Sequence, residues 1–129
     1  MILTLPYPPS VNHYKRLGRI VKTSSDKKYQ LKFNSAETKR YFYEVWMIVK
    51  KTQMETLEGD LHMTLWVNPP DKRKRDLDNI LKVLLDSLQQ AGVYKDDYQI
   101  SKLTIERKEV KLGGEIIVRI EHASQQMLP

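Results

Sequence analysis

Residues 61–97 read LHMTLWVNPPDKRKRDLDNILKVLLDSLQQAGVYKDD, and two different hydrophobic periods meet inside them. Leu61, Met63, Leu65 and Val67 alternate with His62, Thr64 and Trp66, the two-residue period of a half-buried strand. Pro69-Pro70 ends that run, because proline has no N–H to give to a ladder. Leu77, Leu81, Leu84, Leu88 and Ala91 then fall on one helical face, supported by Ile80 and Leu85. Gly92 is placed to close that helix in a left-handed cap.

Working outward, a second helix is expected from near Ser35, with Asn34 as its cap and Glu37 three residues on to complete a capping box. Tyr41, Phe42, Val45, Ile48 and Val49 give it an apolar stripe that packs on a sheet. Ile2 to Leu5 reads as a short strand stopped by Pro6, Pro8 and Pro9. Leu103 to Val110 and Glu115 to Glu121 read as two strands joined through Gly113-Gly114, with Ile116, Val118 and Ile120 on one face. The sum is one α+β domain over residues 1–129: a mixed β-sheet, two main helices packed on it, and a C-terminal β-hairpin.

The 129 residues suit a single core, and 40% hydrophobic with 29% charged residues is the composition of a folded globular chain. The absence of cysteine excludes a disulfide framework, a thiolate zinc site, an iron–sulfur cluster and a cysteine nucleophile, so any metal is held by oxygen or nitrogen. Met1 to Arg75 carries 15 basic against 7 acidic residues, a net +8, whereas the remainder has 7 against 9, a net −2. A basic first part suits a polyanionic partner, although it also describes a plain solvated surface. Residues 15–32 concentrate seven cations against Asp26, with Tyr14, Tyr29 and Phe33 around them. They offer phosphate contacts beside stacking surfaces, or simply a solvated hairpin or loop. Met-Ile-Leu-Thr-Leu-Pro lacks the pattern of a secretory signal, and no apolar run approaches the roughly 20 residues of a bilayer span, so a cytoplasmic protein with no membrane partner is expected.

Chemistry concentrates in Asp71-Lys72-Arg73-Lys74-Arg75-Asp76-Leu77-Asp78-Asn79, followed by Lys82 and by Asp96-Asp97. Asp76 and Asp78 stand where a loop becomes a helix, and both carboxylates reach one point if the first residue is still extended. Lys82, four residues after Asp78, lies one turn along the same face. Asp96 and Asp97 are expected to return toward the helix start through the adjoining strand. Carboxylates so gathered need a shared cation, and hard oxygen donors suit Mg²⁺ or Mn²⁺, which bind substrate phosphate as well. Such an ion orients and activates water for phosphodiester hydrolysis, with Lys82 beside the phosphate and Lys72 to Arg75 on its neighbours. A structural reading stands beside this one: Asp76 and Asp78 as helix caps, Asp78 and Lys82 as a surface pair, Asp96-Asp97 as a turn. His13, His62 and His122 match no helical metal motif, and there is no P-loop, G-x-G-x-x-G or G-x-S-x-G.

These residues resemble the RusA family of Holliday junction resolvases, found in bacteria and their phages and prophages. The resemblance rests on Leu5-Pro6-Tyr7-Pro8-Pro9-Ser10 with Asn12 and Tyr14, on Pro70 through Asn79, and on Leu88, Ala91-Gly92-Val93 and Asp96-Asp97. It implies a homodimeric, Mg²⁺-dependent endonuclease, with Mn²⁺ as a substitute, that binds branched DNA, four-way junctions above all, and nicks two opposed strands symmetrically. Asp76, Asp78 and Asp97 would then be the metal-holding and catalytic carboxylates and Lys82 the catalytic lysine. Lys72, Arg73, Lys74 and Arg75 would contact DNA, with Lys15 and Arg16 added to that surface. Two other readings remain open: a non-catalytic basic nucleic-acid-binding protein, and a related nuclease acting on other branched DNA.

Overall fold

The computed structural model describes residues 1–10, 15–22 and 28–123, and the backbone alone for 15–22 and 28–33. Its elements are β1 (Ile2–Leu5), β2 (Lys15–Lys22), β3 (Lys28–Asn34), α1 (Ala36–Thr52), β4 (Leu61–Asn68), α2 (Leu81–Gln90), β5 (Ile100–Arg107) and β6 (Glu115–His122), with short 3₁₀ turns at Leu77–Ile80 and Asp97–Gln99. β4 organises the sheet. Its Leu61, Met63, Leu65 and Val67 are buried in strict alternation, and both of its edges are paired: antiparallel to β6 and parallel to β5. β1 adds antiparallel to β6, giving the order β1-β6-β4-β5, while β2 and β3 pair in a separate two-stranded sheet.

The core joins the buried sheet residues, including Leu3, Leu5, Ile116, Val118 and Ile120, to Tyr41, Val45 and Val49 of α1 and Val83, Leu84 and Leu88 of α2. Burial of each such side chain contributes about 1.5–3 kcal/mol, against a helix-propensity cost for Val45 and Val49 of about 0.7 kcal/mol at most, so packing decides. α1 starts one residue later than expected. Asn34 closes β3, and extended Ser35 (φ −64°, ψ 162°) is the cap, its Oγ accepting the Thr38 N–H at 3.1 Å. α2 ends as the sequence indicates. Gly92 has φ +85° and donates to the Gln89 carbonyl, Val93 donates to that of Leu88, and Leu88 and Val93 are both fully buried. Among the described residues no helix is long and apolar enough to cross a membrane.

The α+β domain with its mixed sheet and two helices is as expected, and both C-terminal strands are present, but they do not form a hairpin. β5 runs from Ile100, three residues before the expected start, and β4 lies between it and β6. The reason is the connecting segment. Lys108 N–H bonds the Val67 carbonyl at 2.7 Å and Lys111 N–H that of Pro69 at 2.9 Å, so the chain passes over the end of β4 and descends on its far side. Gly113 and Gly114 make that descent at φ +82° and +74°. A Cβ on Gly114 would stand 2.6 Å from Tyr7 Cβ, whereas one on Gly113 would meet nothing within 4 Å. Gly113→Ala should therefore cost only the backbone strain of about 1–2 kcal/mol. Gly114→Ala should cost about 3 kcal/mol or more, since it adds overpacking against Tyr7. Urea unfolding of the two variants side by side checks the difference, and equal losses would contradict it.

Candidate functional site

Beyond β4 the chain enters the basic run, and the structure gives its first carboxylate a dense set of partners. Asp71 accepts the backbone N–H of Arg73 at 2.9 Å and the Arg73 Nε and Nη2 at 3.3 and 3.2 Å. Arg75 grips the same group bidentately, through Nη1 to Oδ1 and through Nη2 to Oδ2 at 3.0 Å. Two guanidiniums on one carboxylate hold Asp71 well below the ordinary carboxylate range, the Arg75 hydrogen bonds contributing most. Arg107, at the end of β5, donates from Nη2 to the Arg75 carbonyl at 2.8 Å and so fastens the segment to the sheet.

These residues line a cleft of about 490 Å³ that also includes Tyr7, Lys72, Lys74, Asp76 and Lys108. Burial raises the Tyr7 phenol above its ordinary value, outweighing the opposite pull of Arg75 and Arg107 beside it. The four expected DNA-contacting residues, Lys72 to Arg75, thus stand together. Arg107 and Lys108 join them from the acidic part of the chain, a juxtaposition that strand pairing creates and local sequence does not signal. Lys15 and Arg16 belong to β2, but their side chains lie outside the described residues.

Asp76 follows directly, extended (φ −74°, ψ 139°) and exposed, and Asp78 is exposed within the Leu77–Ile80 turn. Neither that turn nor α2 is closed by a side-chain cap, so the capping reading of Asp76 and Asp78 fails. Lys82 does not pair with Asp78. Its ammonium lies 3.6 Å from Asp86, one turn further on. Asp78 is in 3₁₀ geometry, three residues per turn, and the four-residue alignment assumed for a continuous α-helix does not hold there.

The C-terminal carboxylates are placed otherwise than expected. Asp96 is a local cap: its Oδ1 accepts the Tyr98 N–H at 2.9 Å, while the Gln99 side chain accepts the Asp96 N–H. Asp97 is half-buried, and its N–H bonds Gln89 Oε1 at 3.2 Å near the end of α2. Tyr94, buried, donates its hydroxyl to the Leu85 carbonyl, and Thr56 and Leu57 bond the carbonyls of Gly92 and Val93. Asp97 then precedes Ile100, which pairs with Leu61 at the start of β4, whereas Arg75 is tied to Arg107 at the other end of β5. Seven residue steps of strand separate those ends, roughly 20 Å. The expected return of Asp97 to the helix start therefore does not occur within one chain. Among the described residues no three His, Asp or Glu side chains are gathered to hold a metal ion.

The site is thus a guanidinium-lined cleft beside uncapped carboxylates on a small α+β domain. The family model for Endodeoxyribonuclease RusA matches residues 6–121. The Crossover junction endodeoxyribonuclease rusA of Enterobacteria phage HK97 is 35% identical over 117 residues, 90% of this chain and 89% of that protein. The enzyme of that name from Escherichia coli (strain K12) is 32% identical over 92% of this chain and 91% of its own length. That from Enterobacteria phage 82 shows the same identity and coverage. The chain belongs to the RusA family.

The Asp71 clasp yields a prediction in pH. The folded protein holds the Asp71 proton less tightly than the unfolded chain, so the contact favours folding above the ordinary aspartate range and fades as pH falls toward the depressed value. Carboxyl-carbon NMR should find Asp71 still ionised near pH 3, where an ordinary aspartate is mostly protonated, and Arg75→Ala should return its midpoint toward about 3.9. An unshifted midpoint in the wild-type protein would refute the clasp.

Proposed function

We propose that this protein is a homodimeric, Mg²⁺-dependent endonuclease of crossover junctions, nicking opposed strands of four-way DNA. One observation carries the reading: the guanidinium-lined cleft holds Asp76, with Asp78 two residues on, and neither carboxylate is spent as a cap. The relatives' printed name, crossover junction endodeoxyribonuclease, supplies the substrate class.

The donor set fits the ion. Mg²⁺ needs few protein ligands, commonly one or two carboxylates completed by water and substrate phosphate, and Asp76 and Asp78 supply two hard oxygen donors. Asp71 is not a third, because arginines occupy both of its oxygens. A bound ion supplies an activated water and neutralises charge developing on the phosphate. The chain's own residues do the rest. Arg73, Lys72 and Lys74 hold flanking phosphates, and Lys82, exposed on the first turn of α2, can swing its ammonium from Asp86 to a bound phosphodiester.

Asp97 enters through a second copy. Within one chain it lies a strand length from Asp76, and β5, whose two ends mark that separation, is an edge strand of the sheet. Two copies side by side and antiparallel along β5 exchange ends, bringing Asp97 of each toward Asp76 and Asp78 of the other. A two-fold pair of shared sites also matches a substrate with near two-fold symmetry and two cuts to be made.

Mixed dimers test this. Asp78→Asn and Asp97→Asn should each abolish Mg²⁺-dependent nicking while still shifting the junction on a gel. An equal mixture of the two, refolded together, should recover about a quarter of wild-type sites, because half the dimers are mixed and each of those rebuilds one intact site. No recovery places each site within one chain; a wild-type protein that binds but never nicks defeats the enzymatic reading. Junction binding should also weaken steeply with salt. Lys72→Ala and Lys74→Ala should each flatten the log–log slope by about 1, and an unchanged slope would remove those lysines from the phosphate surface.

A further inference from the structure

We propose that Asp71 is a positioning residue for this reaction: it orients Arg73 and Arg75 and, through Arg75, fixes where Asp76 presents its carboxylate, an inference that rests on the nuclease reading above. In the sequence Asp71 stands at the head of the cations with nothing local to signal a role of its own. In the structure it is the hub of the basic run.

The segment from Asp71 to Asp76 has no helical or strand ladder to hold it, yet it is pinned at successive points. The Arg73 N–H closes a two-residue turn on Oδ1, the Arg75 fork takes both Asp71 oxygens, and Arg107 holds the Arg75 carbonyl. Asp76 is the next residue, and its carbonyl accepts the Asn79 N–H at 3.2 Å where the following turn begins. Fixing Arg75 at side chain and carbonyl leaves Asp76 little freedom.

Two features separate this clasp from an ordinary surface ion pair, which contributes little. The exposures of the two arginines differ: the Arg75 side chain is 25% exposed and the Arg73 side chain 79%. Arg75 is turned inward as a strut, whereas Arg73 keeps N–H groups facing solvent, where a phosphate can take them in the same planar geometry. The second feature is cost. An anion placed inside a DNA-binding run lowers its attraction for DNA, and that loss has a return if the carboxylate sets the geometry of the cations and of Asp76.

The experiment measures single-turnover nicking at saturating protein separately from junction affinity, using the full chain, Mg²⁺ and a labelled four-way junction. Asp71→Asn keeps the size and one acceptor oxygen but removes the charge and the two-oxygen face. The expected result is nicking slower by about tenfold or more at saturation, with affinity unchanged or tightened by the lost negative charge. Arg75→Lys, which keeps the charge but not the fork, should reproduce that loss. At saturation the double variant Asp71→Asn/Arg75→Lys should be no slower than Arg75→Lys alone, because Asp71 reaches Asp76 only through Arg75, and its hold on Arg73 bears on junction affinity rather than on the saturated rate. Melting curves within a few degrees of wild type exclude unfolding as the cause. A wild-type nicking rate in Asp71→Asn overturns the proposal, and so do losses that multiply in the double variant. If the wild-type protein itself does not nick, the nuclease reading has failed and this inference falls with it. If wild type nicks and the variants match it, only the inference is wrong.

Discussion

Parallel pairing of β5 with β4 is the constraint from which the placement of the charged residues follows. A parallel neighbour cannot be reached by a tight turn; the chain must cross over and come back to the starting edge of the sheet. Here it leaves β4 at Asn68, carries the cations through the loop, runs back as α2, turns at Gly92 and enters β5 beside Leu61. Whatever precedes α2 therefore stands at the edge where β4 and β5 end, and whatever follows α2 stands at the opposite edge. Arg107 reaches Arg75 for the same reason that Asp97 does not reach Asp76.

At the first of those edges, three carboxylates within eight residues have different surroundings. Asp71 is claimed by two guanidiniums and a backbone N–H, while Asp76 and Asp78 border a helix start that has no side-chain cap. α1 supplies the contrast within the same chain. Ser35 caps it in the ordinary way, with its oxygen on the Thr38 N–H. A helix start flanked by two aspartates, the residues that cap best, and still uncapped is a local rule left unfulfilled, and such departures concentrate where function competes with stability. Under the proposed nuclease reading, the competing demand is a pair of carboxylates kept available next to cations.

Much of the fold was legible because it is written in local periods. The alternation from Leu61 to Val67, the stripe of α1 and the glycine after α2 each report a burial pattern that one element enforces on itself. What was not legible depends on partners distant in sequence. Gly113-Gly114 between two apolar runs has the form of a hairpin turn, but β4 competes for the edges of both strands and separates them. The 3₁₀ turn at Leu77–Ile80 was hidden for a related reason: leucine spacing is similar for either helix type, and only the missing α-helical register betrays the difference at Asp78 and Lys82. The candidate residues of the first edge were visible as an interleaving of acid and base from Asp71 to Asp78. The division of the candidate carboxylates between two edges was not, since sequence distance along a crossover says nothing about the direction in which it returns. Tyr7 stands in the sequence only as a residue between prolines, and its place beside Gly114 and Arg75 depends on β1 and β6 being neighbours.

The division of acidic residues also bears on how two cuts could be coupled. If one chain held a complete set of carboxylates, a monomer could nick any strand that its cations captured, and a single unmatched nick would follow. Under the proposed two-copy arrangement, a chain with Asp76 and Asp78 at one end of α2 and Asp97 at the other does not assemble that set alone, so site formation requires association. Association in turn produces two equivalent sites, because the exchange that completes one completes the other. The cations do not need this sharing. Lys72, Arg73 and Lys74 lie with Asp76 in each chain, so phosphate binding can precede or accompany pairing of the two copies. On this view the crossover separates capture, which each chain performs, from cleavage, which needs both.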